Sequence, residues 1–225
     1  MSEKNLEKTL LKIGAFWKHN CNMVNPHSLL ASGKHSDGFL NLSILASFPN
    51  EMRVFTDILV VKIKETISNF ENLWVIGSAM GGIPVAMQVA EKLGCNCAYT
   101  EKSDKGSMNF NRFESEIDRI GKVLLIEDVI TTGSTTQKTV KILCTHGLRN
   151  KILPYFCTIV NRTGKSKINF KMLDDLAEFQ MIKALSLDFK VWHADDCPLC
   201  KAGSVALKPK KNWQRFRKDA IQIYD

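Results

Sequence analysis

The chain has 225 residues, of which 44% are hydrophobic and 24% charged, and its formal net charge is +8. This length allows one α/β domain with a sizeable core, while the longest apolar stretches are far too short to span a membrane and no signal-peptide pattern opens the chain. The positive charge suits anionic ligands, although solubility or nucleic-acid contact explains it equally well.

Helices and strands alternate along the chain. Apolar residues at helical spacing predict one helix through Leu6, Leu10, Ile13 and Trp17 and a longer one over residues 52–70. The predicted strands lie at residues 73–77, 97–100, 123–127, 153–160 and 179–185, with helices at 84–93 and 137–145 between them. This alternation predicts an α/β fold with a mostly parallel sheet flanked by helices. The polar segment over about 101–121 is long for a loop in a compact domain, which is typical of a functional or mobile segment.

The most informative stretch is residues 123–135, which read Val-Leu-Leu-Ile-Glu-Asp-Val-Ile-Thr-Thr-Gly-Ser-Thr. The apolar run predicts a buried strand that the adjacent acids Glu127 and Asp128 close. The turn that follows is rich in hydroxyl groups and glycine, and it leads into a predicted helix whose amide groups and dipole favour an anion. The pattern therefore predicts a phosphate cradle beside two carboxylates, which suit a sugar diol or Mg²⁺. It is not a Walker motif, because no Gly-Lys-Ser/Thr follows.

All thirteen positions of this stretch resemble the signature of the type I phosphoribosyltransferases. The resemblance implies that family's fold, with a small hood built from the N-terminal segment. It also implies that Glu127 and Asp128 bind the ribose hydroxyls of 5-phosphoribosyl 1-diphosphate. The groups implied to bind its 5-phosphate are those of Thr131, Thr132, Gly133, Ser134 and Thr135.

Two further segments resemble the orotate phosphoribosyltransferases within that family. Residues 32–41, Ser-Gly-Lys-His-Ser-Asp-Gly-Phe-Leu-Asn, contain that group's SGK-type turn, which implies substrate binding by Lys34 and packing of Phe39 on the pyrimidine. A leucine follows Phe39, so stacking is expected on one side only. Arg162 follows a predicted strand and is implied to bind the orotate carboxylate through its planar fork. Asn161 replaces the family's usual Asp beside that arginine.

The implied diphosphate site is formed by two segments. Residues 78–84, Ser-Ala-Met-Gly-Gly-Ile-Pro, resemble the family's diphosphate loop, which implies contacts from Met80, Gly81 and Gly82. The segment over about 101–121 resembles its flexible catalytic loop. Lys102 is implied to lie near the leaving group of its own subunit, and Lys105 on the part of the loop that closes over the partner's site. Arg112 is a further candidate, while Glu101 stands where relatives have Arg.

The implied reaction transfers the phosphoribosyl group to orotate and yields orotidine 5′-monophosphate and diphosphate, for pyrimidine synthesis. Asp128, Lys102 and Lys105 are the implied catalytic residues, and Mg²⁺ is expected mainly through the substrate. The expected organisation is a single domain over 1–225, with a helix and hood over about 1–45 and a basic tail over about 194–225. A cytoplasmic homodimer with shared loops is expected, without membrane or nucleic-acid partners.

Two alternatives stay open for the activity. One is a type I phosphoribosyltransferase for a different nucleobase, which Asn161 and the leucine after Phe39 leave possible. The other is a non-catalytic regulator that binds phosphoribosyl diphosphate.

The cysteines and the C-terminal tail carry a weaker signal. Seven cysteines at irregular spacing indicate reduced thiols. Cys197 and Cys200 form one CxxC pair, which could bind a metal, do redox chemistry or be only structural. His193 is a candidate third metal ligand, but no fourth is evident, and the structural interpretation is favoured. The basic run over 208–218, with two interleaved aromatic residues, predicts a solvated tail that contacts another subunit rather than an RNA site.

Overall fold

The computed structural model describes residues 2–20, 25–30, 32–103, 106–113, 116–117 and 121–221, with the backbone alone for 217–221. The helices are α1 Glu3–Lys12, α2 Leu42–Ala46, α3 Pro49–Thr66, α4 Gly82–Leu93, α5 Ser134–Thr145, α6 Pro198–Lys201 and α7 Pro209–Ile221. The strands are β1 Phe16–Lys18, β2 His27–Leu29, β3 His35–Ser36, β4 Gly38–Leu40, β5 Leu73–Gly77, β6 Asn96–Tyr99, β7 Glu101–Lys102, β8 Met108–Asn109, β9 Lys122–Ile130, β10 Ile152–Asn161, β11 Lys167–Met172, β12 Asp175–Ser186, β13 Val191–Trp192 and β14 Ala206–Leu207. Among these residues, no helix is both long and apolar enough to cross a membrane.

The chain divides into two compact units. The larger unit is residues 48–187, and the smaller one combines residues 1–47 with 188–225. The smaller unit thus takes nearly half of its residues from the C-terminal end of the chain, and the expected N-terminal hood stays a prediction.

A six-stranded sheet forms the centre of the larger unit, in the order β11-β12-β10-β9-β5-β6. All neighbouring strands are parallel except β11 and β12, which form an antiparallel hairpin at one edge. The α/β fold with a mostly parallel sheet, predicted from the alternation of elements, is confirmed. Strand β11 was not predicted, because its alternating pattern is short and rich in lysine.

Strand β9 positions the signature residues. Residues 123–126 are fully buried, as expected for a strand covered on both faces. The prediction that the two acids end this strand was wrong, because β9 continues to Ile130. Pairing with β10 extends through Val129 and Ile130, which holds the acids inside the regular ladder. Helix α5 begins at Ser134, three residues earlier than predicted, so the end of the turn forms the first helical turn.

The smaller unit contains a four-stranded sheet in the order β13-β3-β2-β14 and a separate β1–β4 hairpin. Helix α1 ends at Lys12, and Gly14 follows with a φ of 71°, so the predicted continuation of this helix to Trp17 was wrong. Trp17 instead lies in β1 and is buried against Phe216 of α7, with their ring centroids 4.7 Å apart.

In the described part of the chain the C-terminal segment folds onto the smaller unit, while the basic side chains of residues 208, 210, 211 and 215 are exposed. It forms α6, β14 and α7, and Phe216 is fully buried. Trp213 packs against Phe39, with ring centroids 5.3 Å apart. Phe216 therefore belongs to the core of the smaller unit, where full burial of its ring contributes about 1.5–3 kcal/mol, and the partly buried Trp213 packs against this core.

Candidate active site

The phosphate cradle predicted from sequence is a folded turn between β9 and α5. Gly133 precedes the helix with a φ of 76°, a conformation that favours glycine, and the first intrahelical bond runs from the Gln137 amide to the Gly133 carbonyl at 2.8 Å. The amides of the first helical turn therefore have no carbonyl partner within the helix. A small cavity is lined by Glu127, Val129, Ile130, Thr131, Gly133, Ser134, Thr135 and Thr136. The structure thus brings Glu127 together with four of the five predicted cradle residues.

The two acids of β9 differ in burial and in their partners, because Glu127 is buried and Asp128 is half-buried. Glu127 is 4% exposed, and its Oε1 lies 3.5 Å from the hydroxyl of Thr136. Burial, and then repulsion from Asp128, raises the pKa of Glu127 to about 8, while the hydroxyls of Ser78 and Thr136 and the charge of Lys102 oppose this rise. Burial also raises the pKa of Asp128, whose Oδ1 accepts a 2.8 Å hydrogen bond from the Val129 amide. Two adjacent carboxyl groups with raised pKa values are typical of a functional site.

The predicted diphosphate loop lies directly against Asp128. Gly81 precedes α4 with ordinary helical dihedral angles, yet a Cβ atom added there would overlap the Asp128 carboxylate. A Cβ at Gly82 would come within 2.8 Å of the Ile126 carbonyl oxygen. Met80 is 72% exposed, and the Ala79–Met80 peptide bond is cis. The two glycines therefore allow the loop to approach the acids of β9 closely.

A set of buried hydroxyls behind this loop was missed by the sequence analysis. Thr139 of α5 donates a hydrogen bond to Ser78 at 3.0 Å, and Thr100 accepts one from the Ala79 amide at 3.2 Å. Ser78 also hydrogen-bonds to Glu127. These contacts connect the diphosphate loop, the cradle helix and the acid pair. Helical spacing places Thr139 on the same face as Thr136, which was the available signal in the sequence.

Arg162 lies in the same cavity as two of the cradle residues. This cavity of about 640 Å³ is lined by Thr131, Thr132, Arg162, Thr163, Lys165, Lys167, Ile168, Asn169 and Glu178. Burial lowers the pKa of Arg162 to about 10, so the guanidinium stays charged at neutral pH. The cavity therefore combines a half-buried cation with the hydroxyls of the signature turn.

Asn161 has a specific role in shaping the turn before this cavity. Its amide nitrogen donates to the Lys165 carbonyl at 2.8 Å, and its oxygen accepts 2.8 Å hydrogen bonds from the amide and the hydroxyl of Thr163. An aspartate could make the last two contacts but has no donor for the first. Asn161, at a position where the family usually has Asp, therefore adds a hydrogen bond that holds the turn.

The segment expected as a catalytic loop is partly described. Lys102 is exposed in β7, which pairs with β8. Its charge opposes the rise in pKa that burial causes at both Glu127 and Asp128. Arg112 forms a 3.0 Å ion pair with Glu101. Both residues occupy positions that were compared with arginines of the family, and here they pair with each other. Lys105 lies outside the described residues.

The two sequence-predicted residues of the smaller unit have contacts within that unit. Lys34 is exposed in the turn between β2 and β3, and its carbonyl accepts a 2.8 Å hydrogen bond from the Leu30 amide. Phe39 is half-buried, with its ring against Trp213. Substrate binding by either residue stays a prediction.

The raised pKa of Glu127 makes stability depend on pH. At low pH the carboxyl is protonated in the folded and unfolded chains, but from about pH 4.5 to about pH 8 the unfolded chain ionises first, so folding stability falls as pH rises. The Glu127→Gln variant removes this loss. We expect its melting temperature to exceed that of the wild type by more at about pH 8.5 than at about pH 5. An equal difference in melting temperature between variant and wild type at both pH values would contradict the assignment of Glu127 as a buried carboxyl group with a raised pKa. The control is Glu91→Gln, because Glu91 is exposed.

Comparison with known proteins agrees with this geometry. Residues 43–187 match the phosphoribosyl transferase domain, a range that nearly coincides with the larger unit. The chain is 33% identical to the orotate phosphoribosyltransferase of Caldanaerobacter subterraneus subsp. tengcongensis, over 81% of this chain and 87% of that protein. It is 29% identical to the orotate phosphoribosyltransferase of Thermotoga maritima, over 83% and 91% of the two chains.

Solved structures support the fold. The crystal structure of orotate phosphoribosyltransferase from Aeropyrum pernix matches with a TM-score of 0.56 at 20% identity, covering 80% of this chain and 93% of that one. The crystal structure of Mycobacterium tuberculosis H37Rv orotate phosphoribosyltransferase in complex with inorganic phosphate matches with a TM-score of 0.51 at 16% identity, covering 83% of this chain and 97% of that one. The resemblance read from the signature turn and the SGK segment is thereby confirmed, and the chain belongs to the phosphoribosyl transferase domain family and, within it, to the orotate phosphoribosyltransferases.

Proposed function

We propose that this protein transfers the 5-phosphoribosyl group from 5-phosphoribosyl 1-diphosphate to orotate, giving orotidine 5′-monophosphate and diphosphate. A ring nitrogen of orotate forms a bond to C1 of the ribose while the bond from C1 to the diphosphate oxygen breaks. The observation that carries the proposal is the convergence of the acid pair, the hydroxyl-rich cradle and the glycine loop at the end of β9. Named relatives that cover most of the chain support the choice of orotate.

The residues of the larger unit have distinct roles in this proposal. The cradle from Thr131 to Thr135 binds the 5-phosphate through amide and hydroxyl groups. Glu127 and Asp128 accept hydrogen bonds from the ribose hydroxyls. The backbone of the loop from Met80 to Gly82 binds the diphosphate, and its closeness to Asp128 holds ribose and leaving group in a fixed relation.

Positive charge is required where the diphosphate leaves. As the bond to C1 breaks, negative charge develops on the leaving oxygens and must be stabilised. Lys102 is exposed and interacts with the acid pair, and we assign it to the diphosphate together with Lys105. Orotate is already an anion, so the reaction does not require a strong general base. The proposed homodimer with shared loops would place Lys105 over the partner's site.

Mg²⁺ is the metal that this reaction implies. The donor set fits it, because Glu127 and Asp128 offer carboxylate oxygens at the point where ribose and diphosphate would meet, and Mg²⁺ prefers oxygen ligands. We expect most of its ligands to come from the substrate and water. When bound, Mg²⁺ neutralises charge on the diphosphate.

Arg162 is proposed to select orotate by its carboxylate. A guanidinium can form two parallel hydrogen bonds with a carboxylate, which lysine cannot reproduce. We expect Arg162→Lys to raise the KM for orotate about tenfold, with little change in the KM for 5-phosphoribosyl 1-diphosphate. Steady-state kinetics with each substrate varied in turn measures both values.

The control for this variant is Arg149→Lys, since Arg149 pairs with Asp175 at the surface at 2.6 Å. An equal rise in both KM values for Arg162→Lys would contradict carboxylate recognition. A wild-type enzyme that uses another nucleobase in preference to orotate would favour the alternative base specificity. Binding of the phosphoribosyl ligand without turnover on any base would favour the regulator.

A further inference from the structure

Four potential metal ligands converge in the smaller unit. They are His27 in β2, His35 in β3, and the CxxC pair Cys197 and Cys200 at α6. One ligand atom from each residue lies within 4.8 Å of all the others. The two histidines are the ligands that the sequence analysis did not find, because they are distant from the cysteines in sequence. His193, its candidate third ligand, is not a member of the cluster.

The separations match those of a tetrahedral zinc site. His27 Nε2 lies 3.0 Å from His35 Nδ1 and 3.5 Å from each cysteine sulfur, and Cys200 Sγ lies 3.3 Å from His35 Nδ1. Zn–N and Zn–S bonds of ordinary length in a tetrahedron separate two nitrogens by about 3.3 Å, and a nitrogen and a sulfur by about 3.6 Å. The four atoms are therefore already close to the arrangement that a single ion requires.

The surroundings of His27 fix the ring nitrogen that faces the cluster. The hydroxyl of Ser204 donates to the Asn25 carbonyl at 2.7 Å, so its oxygen is free to accept a hydrogen bond from His27 Nδ1 at 2.9 Å. Nδ1 of His27 thus carries the proton, and Nε2 presents its lone pair to the cluster. A histidine that ligates a metal commonly has its second nitrogen held by a hydrogen bond in this way.

Hydrogen bonds among the four side chains cannot account for all the close contacts of His27 Nε2 in the cluster. His27 Nε2 has one lone pair but three neighbours, which are His35 Nδ1 and the two sulfurs. Only one of them can donate to it. His27, His35 and Cys197 are also buried, whereas Cys200 lies on the exposed side of the cluster. One cation with four ligands would engage all four atoms at once.

We propose that His27, His35, Cys197 and Cys200 bind one Zn²⁺ ion in a closed, structural site. Two thiolates and two neutral imidazoles balance the charge of the ion, and binding releases the two thiol protons. Sulfur ligands favour Zn²⁺ over Mg²⁺, so this site is distinct in chemistry from the one implied at the acid pair. The ion joins β2 and β3 to the turn around α6, and thus connects the two chain ends that form the smaller unit.

The test is the metal content of the full-length protein purified without chelators, measured by inductively coupled plasma mass spectrometry. We expect about one zinc per chain in the wild type and in His193→Ala, and a loss of about tenfold or more in Cys200→Ser. His193→Ala is a matched control, because this exposed histidine lies close to the pair in sequence. Replacement of zinc by Co²⁺ in the wild type should give the visible absorption bands of a tetrahedral site and a thiolate-to-cobalt charge-transfer band.

The cobalt spectrum of the wild type keeps the proposal testable if Cys200→Ser does not fold. The proposal would be overturned if the wild-type protein contained no zinc and also showed none of these bands after addition of Co²⁺. Detection of a Cys197–Cys200 disulfide in place of metal would overturn it as well. Neither result depends on the phosphoribosyl transfer, so a failure here is distinguishable from a failure of the proposed function.

Discussion

The Asp128→Asn variant is expected to bind 5-phosphoribosyl 1-diphosphate about 10- to 100-fold more weakly than the wild type and to lose kcat/KM by a similar factor. Asparagine keeps the size of the side chain and its acceptor for the Val129 amide. It removes the charge that attracts Lys102, and it replaces a charged acceptor for the ribose hydroxyls by a neutral one. Hydrogen bonds to charged groups contribute about 1.5–3 kcal/mol, which gives the stated range.

Calorimetric titration and steady-state kinetics together measure this effect. The folded protein should not lose stability, because burial raises the pKa of Asp128 and a neutral side chain is easier to bury. The control is Asp57→Asn, since Asp57 pairs with Lys92 on the surface of α3. Unchanged affinity for the phosphoribosyl ligand would contradict the assignment of Asp128 to the ribose.

The Gly81→Ala variant is expected to lose about 100-fold in kcat/KM, because a displacement of about 1 Å at a positioned reacting group has an effect of this size. The backbone of Gly81 has ordinary helical dihedral angles, so alanine adds no backbone strain. Its methyl group would instead overlap the Asp128 carboxylate, and the loop and the acid would have to move apart. Kinetics with 5-phosphoribosyl 1-diphosphate varied measures the loss.

Gly94→Ala separates this effect from a loss of stability. Gly94 ends α4 with a φ of 66°, and no atom lies within 4 Å of the position that a Cβ would take. Alanine at this position should cost about 1 kcal/mol of folding stability and leave kcat/KM unchanged. Wild-type kinetics for Gly81→Ala would mean that the loop does not hold Asp128 in the arrangement used for the reaction.

The sequence predicted the central sheet and the cradle because both follow from local patterns. The fully apolar run before Glu127 is typical of a strand covered on both faces, and Gly133 supplies the positive φ that the turn before the helix adopts. The end of β9 was placed too early, because pairing with β10 keeps the polar residues Glu127 and Asp128 within the ladder. The residues of one strand do not by themselves indicate how far the neighbouring strand will pair with it.

Contacts between distant segments account for the remaining differences. The burial of Phe216 against Trp17 and the convergence of His27 with Cys197 join opposite ends of the chain, and no local spacing records them. The Ser78–Thr139 hydrogen bond likewise links a strand end to a helix more than one element away. Sequence patterns located the acids and the cradle, whereas the hydroxyls that position them became evident only from the fold.

The central claim is phosphoribosyl transfer to orotate, and its most direct test is the loss of orotate absorbance when purified protein is mixed with 5-phosphoribosyl 1-diphosphate and Mg²⁺. We expect orotate to be consumed and diphosphate to appear in equal amounts, and we expect both changes to stop when Mg²⁺ is removed. Intact binding of 5-phosphoribosyl 1-diphosphate with no consumption of orotate would contradict the proposed activity, while leaving the phosphate cradle in place.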